Sequence, residues 1–149
     1  MERFIKSPHF KRCMRLSFVG TNDYGKCLRA GKSLPAGVII AKWEGYIVDS
    51  YDDVPANMKL KALLIDDVRF LVPTNDCMYA NHSCDPNCEI TDNLEIMTVK
   101  PVKAFEELCF DYALCENGDD PMEWQPEWSF TCHCGSSKCR GIIDRYFYP

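Results

Sequence analysis

No stretch of the 149 residues approaches the roughly 18 consecutive apolar positions that a membrane-spanning helix needs. The opening Met1-Glu2-Arg3-Phe4-Ile5-Lys6 lacks the apolar core of an export signal. No period recurs along the chain, which sets aside solenoids, collagen and coiled coils. No two of the eight glycines are separated by a single residue, so the dinucleotide fingerprint is missing. A phosphate-cradling loop, a zinc-protease helix motif and a serine nucleophile elbow are missing too. Of three histidines, only His82 sits among other polar residues, and nothing beside it fixes a thiol nucleophile. Residues 116–127 hold five acids and no base, whereas residues 1–16 hold five bases and one acid. With a net charge of -5 and a pI near 5.2, the chain suits a basic partner. Direct nucleic-acid binding is not expected, because a phosphate backbone rewards clustered Lys and Arg.

What is present is enough to build a core. Apolar residues make up 46% of the chain, well above a disordered composition, and the length suits one domain. Ten cysteines is a high count. Without an export signal, reduced thiols and metal ligands are the expected states, in an intracellular, reducing setting. Cys13, Cys27, Cys77, Cys88, Cys109 and Cys115 lie among apolar or strand-like residues and read as small buried hydrophobes.

The pattern along the chain is short strands broken by turns, hence mainly β. Asn22-Asp23-Tyr24-Gly25 and Leu34-Pro35-Ala36-Gly37 are turn signals. Val38–Trp43, Tyr46–Val48 and Val68–Val72 read as strands, and residues 50–64 as one short helix. Cys88–Thr91 and Leu94–Val99 flank Asp92-Asn93 as a β-hairpin. Leu108, Phe110, Tyr112 and Leu114 alternate as one face of a further strand. The expected organisation is a lead-in over 1–14, a main domain over 15–115, an acidic linker over 116–128 and a Cys-rich tail over 129–149.

Cys132-His133-Cys134-Gly135-Ser136-Ser137-Lys138-Cys139 puts three thiols within eight residues. Gly135 permits the tight reversal that aims Cys139 back at the other two. Structural zinc takes four ligands, and thiolate suits it best. The fourth must be His133 or come from elsewhere. His133 points away from its neighbours in an extended segment. Cys84, in the polar turn Asn81-His82-Ser83-Cys84-Asp85-Pro86-Asn87, is the leading outside donor, with Cys88 behind it.

Three elements in this order resemble a SET-domain protein lysine methyltransferase with a post-SET zinc motif. They are Asn81-His82-Ser83-Cys84-Asp85-Pro86-Asn87, then Glu107-Leu108-Cys109-Phe110-Asp111-Tyr112, then Cys132, Cys134 and Cys139 with Arg140-Gly141. The resemblance covers roughly residues 15–143, without the family's Cys-rich pre-SET unit. It implies a SET-domain fold of several small β-sheets with a C-terminal pseudoknot and a Cys-rich post-SET tail. It implies S-adenosyl-L-methionine as methyl donor and zinc held by Cys84, Cys132, Cys134 and Cys139. By the same resemblance Tyr112 is catalytic, and Asp23, Tyr24, Gly25, Asn81 and His82 bind the cofactor. Trp43 and Phe110 then line the substrate channel, and Ile142 or Ile143 lies near the adenine.

Asp23, Trp43 and Met78 depart from the family's usual glycine, tyrosine and arginine. Phenylalanine at 110 implies room for di- or trimethylation. The implied substrate is a basic peptide such as a histone tail, and a histone would place the protein in the nucleus. The alternative is a catalytically silent, zinc-stapled interaction module.

Overall fold

The computed structural model describes residues 16–116 and 122–149. The lead-in over 1–14, Cys13 and part of the acidic linker lie outside the described residues.

The turn at residues 22–25 closes the first hairpin. The Asn22 side-chain carbonyl accepts the Tyr24 N–H at 2.8 Å, and Gly25 takes φ +130°, which a side chain would resist. This joins β1 (Ser17–Asn22) to β2 (Gly25–Ala30) in antiparallel register. The remaining strands are β3 (Ile39–Lys42), β4 (Gly45–Val48), β5 (Leu63–Leu64), β6 (Phe70–Pro73), β7 (Asn81–His82) and β8 (Cys88–Ile90). They continue with β9 (Glu95–Thr98), β10 (Cys109–Phe110), β11 (Phe130–Thr131) and β12 (Ile142–Ile143).

These strands make five small sheets. Besides β1–β2 there are two three-stranded sheets, β3-β9-β8 and β4-β6-β5, and the pairs β7–β10 and β11–β12. The hairpin expected around Asp92-Asn93 is β8–β9, pairing Cys88 with Thr98. Gly45 lies against the neighbouring strand so closely that a Cβ there would overlap the Val72 carbonyl. The β4–β6 approach therefore requires glycine at that position.

Leu28, Leu34, Ile40, Trp43, Leu71, Ile96 and Leu108 form the main core. Each such burial contributes about 1.5–3 kcal/mol. Cys27, Cys77, Cys88 and Cys115 are buried, as the scattered-thiol reading expects, and Cys109 is half-buried. A second cluster joins Cys84 and Ala113 to Cys132 and Ile143, packing the tail onto the main domain.

Two expectations fail locally. Residues 50–64 do not form one helix. They form two 3-10 turns, Tyr51–Asp53 and Ala56–Met58, and then β5. Pro55 interrupts the segment, and its predecessor is pushed toward extended backbone, where Val54 sits at φ -72°, ψ 127°. The strand predicted through Leu114 stops after Phe110. The Asp111 carboxylate accepts the Ala113 N–H at 3.0 Å, an Asx turn that diverts the chain. Leu108 is buried, while Leu114, expected on the same face, is exposed.

Candidate active site

The site grows from the parallel β7–β10 pair, which sets Asn81 opposite Cys109 and His82 opposite Phe110. Parallel pairing brings two segments with the same chain direction together, so everything that follows each strand converges at one end. Beyond β7 comes Ser83-Cys84; beyond β10 comes Asp111-Tyr112. The Ser83 N–H donates to the Phe110 carbonyl at 3.0 Å and extends the pairing.

At the other end of the pair, Asn81 donates to the Lys26 carbonyl and to the Glu107 carboxylate, both at 3.2 Å. Asn22 donates to the second Glu107 oxygen at 3.0 Å. Glu107 thus ties the first hairpin to β7. The 22–25 turn and Asn81, far apart in sequence, become neighbours through that carboxylate. Sequence reading assigned Glu107 no role, although it opens the Glu-Leu-Cys-Phe-Asp-Tyr run.

His82 is enclosed, its side chain only 3% exposed. Its Nδ1 accepts the Tyr112 backbone N–H at 3.0 Å, and its Nε2 lies 3.3 Å from the Cys84 sulfur. A backbone amide can only donate, so Nδ1 carries the lone pair and Nε2 the proton. The 3.6 Å approach of Nδ1 to Asp111 is therefore a near neighbour and not a donated bond. Burial pushes the His82 pKa down to about 4, with Asp111 opposing and Arg140 adding to the fall.

A histidine held neutral in the fold stabilises it fully above its unfolded pKa of about 6.5. That contribution is lost as pH falls toward the folded value. We expect ¹⁵N NMR to show His82 as the Nε2–H tautomer with no titration above about pH 5. Protonation near pH 6.5 would contradict this packing.

Tyr112 sits at the wall of a cavity of about 410 Å³, lined also by Trp43, Phe110, Ala80, Met78 and Leu63. Its hydroxyl donates to the Ala80 carbonyl at 2.6 Å. Burial raises its pKa far above the usual phenol range, so it stays protonated. The Phe110 ring lies 4.7 Å from the Tyr112 ring, and Trp43 meets Phe110 edge-on at 5.6 Å. Lys61, which sequence reading passed over, enters the same cavity. Its ammonium donates to the Tyr112 hydroxyl at 3.3 Å.

Next to the cavity the tail folds over residue 84. The sulfurs of Cys84, Cys132, Cys134 and Cys139 all lie within 4.8 Å of one another. Gly135 adopts φ +75° at the reversal between the third and fourth of these. Cys88 stays in the core, outside the group. His133 is also outside it, stacked on Tyr24 with ring centroids 4.5 Å apart and planes 7° from parallel.

The donor set fits a tetrahedral metal. Zinc–sulfur bonds of about 2.3 Å put sulfurs roughly 3.8 Å apart, close to the 3.7 Å between Cys84 and Cys132. Burial raises the Cys84 and Cys132 thiols. At Cys134 burial also opposes ionisation, but hydrogen bonds from Cys84, Ser136, Cys132 and Cys139 outweigh it and pull the pKa down to about 6. The Arg140 N–H donates to the Cys84 sulfur at 3.3 Å, as an amide does toward a thiolate ligand.

Arg140 also clamps Asp111 with two bonds, 3.0 and 2.9 Å, although the Asp111 side chain is only 4% exposed. The residue after the last cluster thiol therefore grips the residue between Phe110 and Tyr112. Of the two isoleucines, Ile142 is exposed and Ile143 buried.

A SET-domain model matches residues 25–113. The chain belongs to the SET-domain family.

Among relatives of this SET-domain chain, the human histone-lysine N-methyltransferase SETD2 is 29% identical over 142 residues, covering 83% of this chain and 5% of that protein. The Drosophila melanogaster histone-lysine N-methyltransferase ash1 is 33% identical over 163 residues, covering 96% of this chain and 7% of that protein. The chain thus spans a small fraction of the length of these relatives. In structure, it is similar to KRYPTONITE solved with mCHG DNA and S-adenosylhomocysteine. The TM-score is 0.60 at 20% identity, with 82% of this chain and 27% of that one covered. The small-sheet architecture with almost no helix is the SET-domain fold, as the sequence resemblance implies. Among the described residues no helix is long and apolar enough to cross a membrane.

Proposed function

We propose that this SET-domain chain is a protein-lysine N-methyltransferase using S-adenosyl-L-methionine. The observation that carries the reading is the buried, protonated Tyr112 hydroxyl at the wall of an aromatic-lined cavity, beside the Asn81–Glu107–Asn22 junction. The turn Asp23-Tyr24-Gly25, Asn81 and the backbone around His82 would hold the donor, which supplies an electrophilic methyl group. Cys84, Cys132, Cys134 and Cys139 would hold zinc as a structural clasp. Residues 15–115 then form the catalytic unit and 129–149 the clasped tail.

This chain's own task is to deliver a neutral lysine amine. Deprotonating a free lysine of pKa about 10.4 at pH 7 costs about 4.6 kcal/mol. An apolar channel lined by Trp43 and Phe110 would lower that cost by disfavouring the ammonium. The Tyr112 hydroxyl has committed its proton to Ala80, so its lone pairs face the cavity. They can accept an amine N–H and hold nitrogen in line, which is a proximity contribution.

An acidic chain suits a basic substrate, and a histone tail would place the enzyme on nuclear chromatin. β4 is an edge strand with Tyr46 and Ile47 exposed, open to strand addition by an extended peptide. Phe110 has no hydroxyl to hold a water against the amine, so the second and third transfers should proceed. Mass spectrometry of a histone tail peptide after long incubation with the donor tests this. The expected products carry two or three methyl groups. A product fixed at one methyl would contradict the role of Phe110, and no transfer with no donor binding would leave the silent module.

A further inference from the structure

Lys61 stands in the turn between the Ala56–Met58 3-10 turn and β5. It is a half-buried lysine whose ammonium reaches inward. Its Nζ lies 3.3 Å from the Tyr112 hydroxyl and 5.8 Å from the centre of that ring, in the cavity that Trp43 and Phe110 also line. Among the described residues no carboxylate is paired with it; burial alone acts on its charge. Lys59, two residues earlier, shows the ordinary solution, with its Nζ on the Tyr51 carbonyl at 2.7 Å and 4.0 Å above the Tyr51 ring. Lys61 instead places an amine with no carboxylate partner at the hydroxyl that should orient a substrate amine. Partial burial without a countercharge disfavours an ammonium, so the position asks for a chemical reason.

We propose that Lys61 is itself a methyl acceptor, presented in cis to its own active site, and that it occupies the lysine channel until a substrate displaces it. The inference rests on the methyltransferase reading above. In the transfer, the Lys61 ammonium first releases a proton to water. The Nζ lone pair then forms a bond to the donor methyl carbon as the carbon–sulfur bond breaks, and that pair stays on sulfur. The products are methyl-lysine at position 61, S-adenosylhomocysteine and one proton. Burial lowers the Lys61 pKa, which raises the neutral fraction that the step requires. Tyr112 holds the amine as it would hold a substrate's.

The test uses the full chain with deuteromethyl S-adenosylmethionine and no other protein. Peptides spanning residues 58–65 are then mapped by mass spectrometry, with histone tail peptide run in parallel. The expected result is label on Lys61 growing at a first-order rate that does not change over tenfold protein dilution. Lys61→Arg should remove that label. Histone methylation without label on Lys61 overturns this inference and leaves the methyltransferase reading standing. Label whose rate rises in proportion to protein concentration shows transfer between molecules and also overturns it. Transfer to neither acceptor overturns the methyltransferase reading, and this inference with it.

Discussion

Tyr112→Phe is expected to slow methyl transfer about 100-fold or more, chiefly in kcat. The hydroxyl donates to the Ala80 carbonyl, which fixes the direction of its lone pairs toward the cavity. A ring without oxygen keeps the shape and the Phe110 contact but offers the amine no acceptor. Removing one preorganised hydrogen-bonding group from a dry site typically costs about 10²–10³ in rate. The variant also leaves the Ala80 carbonyl without this donor, at about 1–3 kcal/mol of stability. Donor affinity should be unchanged, since the Asn81–Glu107–Asn22 junction is untouched. Single-turnover transfer with saturating donor and peptide reads the effect directly. A rate within threefold of wild type would remove Tyr112 from the chemistry.

Outside the cluster thiols, Arg140→Ala should be the most destabilising single change in the tail. It deletes both guanidinium bonds to Asp111, a carboxylate with a 4% exposed side chain, and leaves that charge buried. Truncating one side of a buried ion pair costs about 3–5 kcal/mol. It also removes the guanidinium lying 4.2 Å from the centre of the Phe147 ring. Asp111→Ala should cost less, because Arg140 has a 22% exposed side chain and can turn toward water. Urea unfolding of the two variants checks the order. Equal losses, or a loss under about 1 kcal/mol for Arg140→Ala, would mean that the pair does not join the tail to the Phe110–Tyr112 segment.

The site was legible in sequence where chemistry leaves dense local marks. Three thiols in eight residues announced a metal-type cluster, and the Asn-His-Ser-Cys and Phe-Asp-Tyr runs carried the family resemblance. The choice between Cys84 and Cys88 was not legible from spacing. One lies in the turn and the other just after it, and only the fold turns Cys84 toward the tail thiols and Cys88 into the main core. The breaks at Pro55 and Asp111 were visible residues whose local effect outweighed a promising apolar pattern. Glu107, Asp111 and Arg140 stand in the runs that carried the resemblance, but they act across 26 or more positions of sequence, so no local pattern shows their partners. Lys61, between Leu60 and Ala62, carries no local mark of its role. Its burial depends on the 3-10 turns that replaced the expected helix.

On this reading, a metal held by Cys84, Cys132, Cys134 and Cys139 folds the tail against the Tyr112 cavity and so completes a methyltransferase. The most direct measurement is histone methyl transfer as a function of bound zinc, followed while the chain is stripped with a chelator and reloaded. Activity should fall with zinc and return in proportion, reaching its maximum at one ion per chain. Full activity in the stripped chain, or none at one ion per chain, would contradict it.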